Sequence, residues 1–138
     1  MLFERVPGTS IWWPASPNLP GEREPGIIVA GFQAPLTFLN AYHFRSDILD
    51  AMQSQAQARL LVLEATGIVD IDFTAAQILA DLIRKCHADG VDFAIARLES
   101  MRAQAAIARF GIDALLGPDH SFRSVEEAIR ALGKKTPA

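Results

Sequence analysis

The stretch LLVLEATGIVDIDFTAAQILADLIRKC, residues 60–86, decides how this chain folds. It opens on Leu60-Leu61-Val62-Leu63, an apolar run without polar alternation, which is the pattern of a strand covered on both faces and hence central in a sheet. It closes on Ala75, Ile78, Leu79, Leu82, Ile83 and Cys86, which fall at i, i+3, i+4, i+7, i+8 and i+11 and so share one face of a helix. A polar turn around Asp70 and Asp72 joins the two. A buried strand followed by an amphipathic helix is the repeating unit of an α/β layer structure.

Toward the C-terminus the alternation repeats. Gly90 fits the residue just past the helix end, Val91 to Ala96 reads as a strand, and Met101 to Phe110 as an Ala-rich helix stopped by Gly111. Asp119 to Arg123 adds a last edge strand. Ser124-Val125-Glu126-Glu127 is a capping box opening a terminal helix through Leu132, and residues 133–138 form a fraying tail.

Toward the N-terminus, Ala41, Phe44, Ile48, Leu49 and Met52 recur at helical spacing behind Asn40, the predicted N-cap. Ile27 to Phe32 and Ala34 to Phe38 read as two strand-like pieces broken by Pro35, which cannot donate to a central ladder. Five of the eight prolines lie in residues 1–26, where Ile11-Trp12-Trp13 is the one apolar knot and predicts a short edge strand. The expected architecture is one α/β domain over 1–138, with an N-terminal edge strand and loop over 1–26 and a core over 27–132. Its mixed sheet has four to five strands, with about four helices packed on it.

Composition narrows the function. Of 138 residues half are hydrophobic and 21% charged, with a formal charge of −3 and no large cluster of Lys and Arg, which disfavours nucleic-acid and anionic-membrane surfaces. A single cysteine permits no internal disulfide and excludes a zinc site needing two or more cysteines. The longest apolar run, residues 27–32, is far short of the roughly 20 residues that span a bilayer, and residues 1–8 lack a secretory pattern. These features predict a cytoplasmic chain.

The candidate site is Asp70-Ile71-Asp72-Phe73-Thr74-Ala75-Ala76-Gln77. In open α/β sheets ligands bind where strands end and helices begin. A phosphate on Thr74 would meet free backbone N–H groups and the positive end of the helix dipole, so Thr74 is a candidate phosphoacceptor, whereas Asp70 and Asp72 would repel it. Thr74 to Gln77 equally matches a capping box, and Asp72 equally suits the cap.

Two features resemble the STAS domain, the cytoplasmic module of sulfate transporters and anti-sigma factor antagonists. Asp72-Phe73-Thr74-Ala75 is similar to the Asp-x-Ser/Thr-Gly turn that places the antagonists' phosphorylated hydroxyl, with Ala75 for the usual Gly and Thr for Ser. Phe32-Gln33-Ala34-Pro35-Leu36-Thr37-Phe38-Leu39-Asn40-Ala41 resembles the Phe-Asp-Ala-Pro-Leu-x-Phe-x-Asn-Ala signature of bacterial SulP-type anion transporters, with Gln33 at the Asp position. The resemblance runs from about Val6 to the terminal helix and implies a non-catalytic regulatory domain at the inner face of the membrane. It implies Asp70, Asp72, Phe73 and Thr74 as the switch, with Phe38, Leu39 and Asn40 as a rim. The expected partners are the membrane domain of its own transporter or a cytoplasmic protein, with a nucleotide and a second copy as further candidates, and no cofactor, metal or nucleic acid.

Three rival readings stay open. Against an enzyme, His43, His87 and His120 are scattered, with neither His-Glu-x-x-His nor Gly-x-Ser-x-Gly. A nucleotide site would have to use Thr74 with Arg97 or Arg102, since no Walker A loop is present. The third rival is a free-standing antagonist. Cys86, on the apolar helix face, reads as a buried inert thiol.

Overall fold

The computed structural model describes residues 1–133, so the tail expected over 133–138 lies, past Gly133, outside the described residues. The elements run β1 (Phe3–Arg5), β2 (Trp12–Pro14), β3 (Ile27–Gly31), α1 (Ala41–Ser54), β4 (Leu60–Glu64), α2 (Phe73–Ala88), β5 (Asp92–Ala96), α3 (Met101–Arg109), α4 (Ile112–Leu116), β6 (Ser121–Phe122) and α5 (Val125–Leu132). Strands β3, β4, β5 and β6 lie side by side in chain order, all parallel, with Val29, Val62 and Ala94 in register. Parallel neighbours need crossovers, and the helices supply them.

The unbroken apolar run of β4 has the predicted consequence. Leu61 and Leu63, with Ile28, Phe93 and Ile95, point into a core shared with α1 to α4. Leu60 and Val62, with Ile27, Val29 and Ala94, point to the other face, where Phe3, Trp12, Val125, Ala128 and Ile129 cover them. Every residue of β4 is buried, because the strand has neighbours on both edges and cover on both faces. Along α2 the predicted face, Ala75 to Cys86, is the buried one.

Two local expectations are corrected. Ala34 to Phe38 is not a strand: Pro35 has no N–H to give, and only Leu36 pairs, donating to the Asp70 carbonyl at 2.9 Å and accepting from the Asp72 N–H at 3.0 Å. Asn40 stands at the cap position of α1 without capping it. Its side chain instead closes the preceding turn, accepting from the Thr37 N–H at 2.9 Å and donating to the Pro35 carbonyl at 2.9 Å. The short strand expected around Trp12 and Trp13 is β2, which pairs antiparallel with β1 in a two-stranded sheet of its own.

That hairpin lends the fold its antiparallel component, since Leu2 bridges Ala30 and the Gly31 N–H donates to the Met1 carbonyl at 2.8 Å, covering the free edge of β3. A strand glycine fits here because the Phe3 ring lies where a Gly31 side chain would go, 2.3 Å from an ideal Cβ. After α3, Gly111 turns the chain at φ 74°, as a helix stop should. The chain then makes a fifth helix, α4, too short to show a period and held by buried Ile112 and Leu116.

Candidate functional site

Helices α1, α2 and α3 all begin at the edge where β3, β4 and β5 end, so three loops, 32–40, 65–72 and 97–100, gather there. Asp72 ties two of them together. Its Oδ1 accepts from the Ala75 N–H at 2.8 Å and caps α2, while its Oδ2 accepts from the Phe38 N–H at 2.8 Å. The third loop joins through the Ser100 hydroxyl, which donates to the Val69 carbonyl at 2.7 Å, and through Arg102, whose guanidinium lies 3.0 Å from Asp70.

Of the two capping candidates, therefore, Asp72 holds the position and Thr74 does not. Thr74 falls at the second helical residue, exposed, its hydroxyl free of hydrogen bonds among the described residues. The N–H groups of Phe73 and Thr74 donate to no acceptor there either, the state expected of a first turn. Both carboxylates that would oppose a phosphate are engaged, Asp72 by two N–H groups and Asp70 by Arg102 and the Ile71 N–H.

The expected rim is at this edge as well. Phe38 and Leu39 are exposed to 63% and 82%, and Phe38 is joined through its N–H to Asp72. Asn40, half-buried, spends its side chain on hydrogen bonds within its own loop. Phe73, 60% exposed, stacks edge to face on Phe110 at 5.7 Å. Three further exposed apolar residues, Tyr42, Val69 and Met101, enlarge the rim and were not singled out by sequence reasoning. Tyr42 lies in the first turn of α1 and Met101 opens α3, but only the loop contacts show that these helices start side by side.

Beside Phe73 a groove of about 540 Å³ runs between α2 and α3, lined by Gln77, Arg84, Arg109 and Phe110. Arg84 is paired with Asp81 at 3.0 Å, and the Arg109 guanidinium lies over the Phe110 ring at 4.9 Å. Arg97, the other nucleotide candidate, pairs with Glu99.

The remaining chemical residues are dispersed. His43 and His87 are exposed, and His120 faces Asp92 at 3.0 Å. Among the described residues no group of three or more His, Cys, Asp or Glu is placed to hold a metal ion. Cys86 is buried, and desolvation pushes its thiol up to about 11, so the thiolate nucleophile is scarce. No described helix is long and apolar enough to cross a membrane.

Comparison with known proteins places this geometry. A model of the STAS domain family matches residues 18–128. A probable sulfate transporter of Mycobacterium tuberculosis is 32% identical over 120 residues, covering 83% of this chain and 20% of the relative. The chain thus spans about a fifth of the length of the curated relatives it matches.

Among solved structures, the murine Solute Carrier 26 family member A9 anion transporter in its inward-facing state superposes with a TM-score of 0.82 at 20% identity, covering 94% of this chain and 21% of that one. The STAS domain of a SulP transporter from Vibrio cholerae gives 0.65 at 23% identity, covering 80% and 84%. A putative anti-sigma factor antagonist from Thermotoga maritima gives 0.70 at 13% identity, covering 83% and 94%, and shares the fold. With the family model matching most of its length and a probable sulfate transporter as a relative, this chain belongs to the STAS domain family.

Proposed function

We propose that this chain is a non-catalytic regulatory and interaction domain of a SulP-family membrane anion transporter, working at the inner face of the membrane, and that the edge at α2 is its switch. The carrying observation is the Thr74 hydroxyl, exposed and unbonded in the first turn of α2 while Asp72 does the capping. A phosphate there would gain the two free N–H groups and the helix dipole. It would also add close to two negative charges beside Phe38, Leu39 and Phe73, enough to expel an apolar partner from the rim. Kinship with a probable sulfate transporter over 83% of the chain supports the membrane domain of its own transporter as the partner.

The test compares Thr74→Glu with Thr74→Ala. The first should weaken partner binding at least tenfold and alter transport, the second should do neither, and both should keep the parent's stability to within about 0.5 kcal/mol. Thr74→Glu with unchanged binding and transport would sink the switch.

The fold shared with a putative antagonist supports a second reading, a free-standing protein that binds a cytoplasmic partner. Fractionating the source cells separates the two: a membrane-bound band several times the length of this chain fits the first, a free band of its own size the second. A nucleotide at the start of α2 would show as saturable binding lost in Thr74→Ala.

A further inference from the structure

Glu64 is the one polar side chain among the described residues that is as buried as the apolar core, at 4% exposure. It ends β4, whose four preceding residues are all apolar, and the alternation of the strand puts it on the face of Leu60 and Val62, opposite α2. Its register neighbours, Gly31 and Ala96, are small and offer it no polar side chain. A carboxyl buried at such a place costs stability relative to an apolar residue of similar size, so its presence needs a reason other than core packing.

Its hydrogen bonds supply one. Oε1 accepts from the Thr66 N–H at 3.2 Å and from the Thr66 hydroxyl. The Ile68 N–H donates to the Ala65 carbonyl at 3.0 Å and the Ala65 N–H to the Ala96 carbonyl at 2.8 Å, so the chain is fixed through the turn at residues 65–68. That turn brings Gly67 against the neighbouring loop so closely that a Cβ there would lie 2.6 Å from Gln33 Cα and 3.0 Å from the Phe32 carbonyl oxygen.

The loop that starts at this turn, 65–72, is the middle one of the three at the edge and is bonded to both others. Asp70 and Asp72 hold Leu36 and Phe38 of loop 32–40. On the other side the Val69 carbonyl takes the Ser100 hydroxyl, and Asp70 meets Arg102. Between loops 32–40 and 97–100 no hydrogen bond runs among the described residues. The placement of residues 65–68 therefore sets how Phe38 and Leu39 stand against Val69 and Phe73.

We infer that Glu64 is a positioning residue of this edge: by holding Thr66 from the face opposite α2, its carboxyl fixes the turn that roots the middle loop and so keeps the apolar rim assembled. The inference takes the edge as the functional site, as proposed above, but uses neither Thr74 nor its modification.

The test is native-state hydrogen exchange on the whole chain, with thermal midpoints, for Glu64→Leu, Thr66→Val and Glu64→Gln. Glu64→Leu fills the space with an apolar group, and Thr66→Val removes the hydroxyl at an exposed position. Both should keep the parent's thermal midpoint and the protection of Val62, while the Leu36 and Phe38 amides exchange about tenfold faster. Glu64→Gln, whose amide oxygen still accepts from Thr66, should exchange like the parent. Unchanged exchange at Leu36 and Phe38 in either of the first two would overturn the role. So would a lowered midpoint with faster exchange at Val62, the mark of a general core contact, or Glu64→Gln behaving like Glu64→Leu. If Glu64→Leu does not fold, Thr66→Val decides alone. Faster exchange in these variants with an inert Thr74→Glu leaves the positioning role and removes the switch; unchanged exchange with an effective Thr74→Glu removes only the positioning role.

Discussion

At the scale of single residues, Asp72 does the most for the site, because one carboxylate performs two tasks. One oxygen caps α2 and the other holds the loop that presents Phe38. Asp72→Ala should lose both bonds and cost about 1–2 kcal/mol in urea unfolding, whereas Asp72→Asn, an equally good cap, should cost less than half of that. Equal losses would mean that the charge, not the geometry, matters. Asp72 was visible in the sequence as a capping candidate, yet Thr74 matched a capping box as well. Pattern alone could not choose, because the choice depends on which side chain also reaches Phe38, 34 residues away.

Among elements, the join between the N-terminal hairpin and α5 is the least anticipated. Glu126 accepts from Arg5 Nε at 2.5 Å and from the Trp12 indole at 3.0 Å, and Arg5 lies over the Trp12 ring at 4.9 Å. Burial opposes ionisation of Glu126, but the hydrogen bonds from Arg5 and Trp12 outweigh it and hold the carboxyl below the usual range. A carboxyl whose folded pKa is depressed stabilises the fold above its unfolded value, near about 4.3, and that stability fades as pH falls through the folded value. Glu126→Gln should therefore destabilise the protein by about 2 kcal/mol at pH 7. In urea titrations from pH 7 to pH 3 the parent should approach the variant below about pH 4; a gap that stays constant would show that the contact works through shape and not charge. In the sequence Glu126 reads only as part of a capping box. Its partners lie more than 100 positions away, a relation no local period encodes.

For the molecule as a whole, stability should be graded from the centre of the sheet outward. Strand β4 has two strand neighbours and two covered faces, while β6 is a two-residue edge strand joined only to β5. Native-state hydrogen exchange should find Leu61 to Leu63 opening only with global unfolding and Phe122 exchanging by local opening; matching protection in both strands would contradict this layering. The sequence by itself determined the α/β class, the central strand, the helix of Ala75 to Cys86 and the location of the candidate site at its start. Those are properties of composition and short-range period, since a strand buried on both faces must be apolar throughout and a half-buried helix must repeat every 3.6 residues. Only the tertiary structure decided that Leu36 makes a lone bridge, that Trp12 is buried and Trp13 exposed, and that Asp72 rather than Thr74 caps α2. Each of these depends on which distant residue is within hydrogen-bond or packing distance, and that is set by how the sheet brings its loops to one edge and its termini to one face.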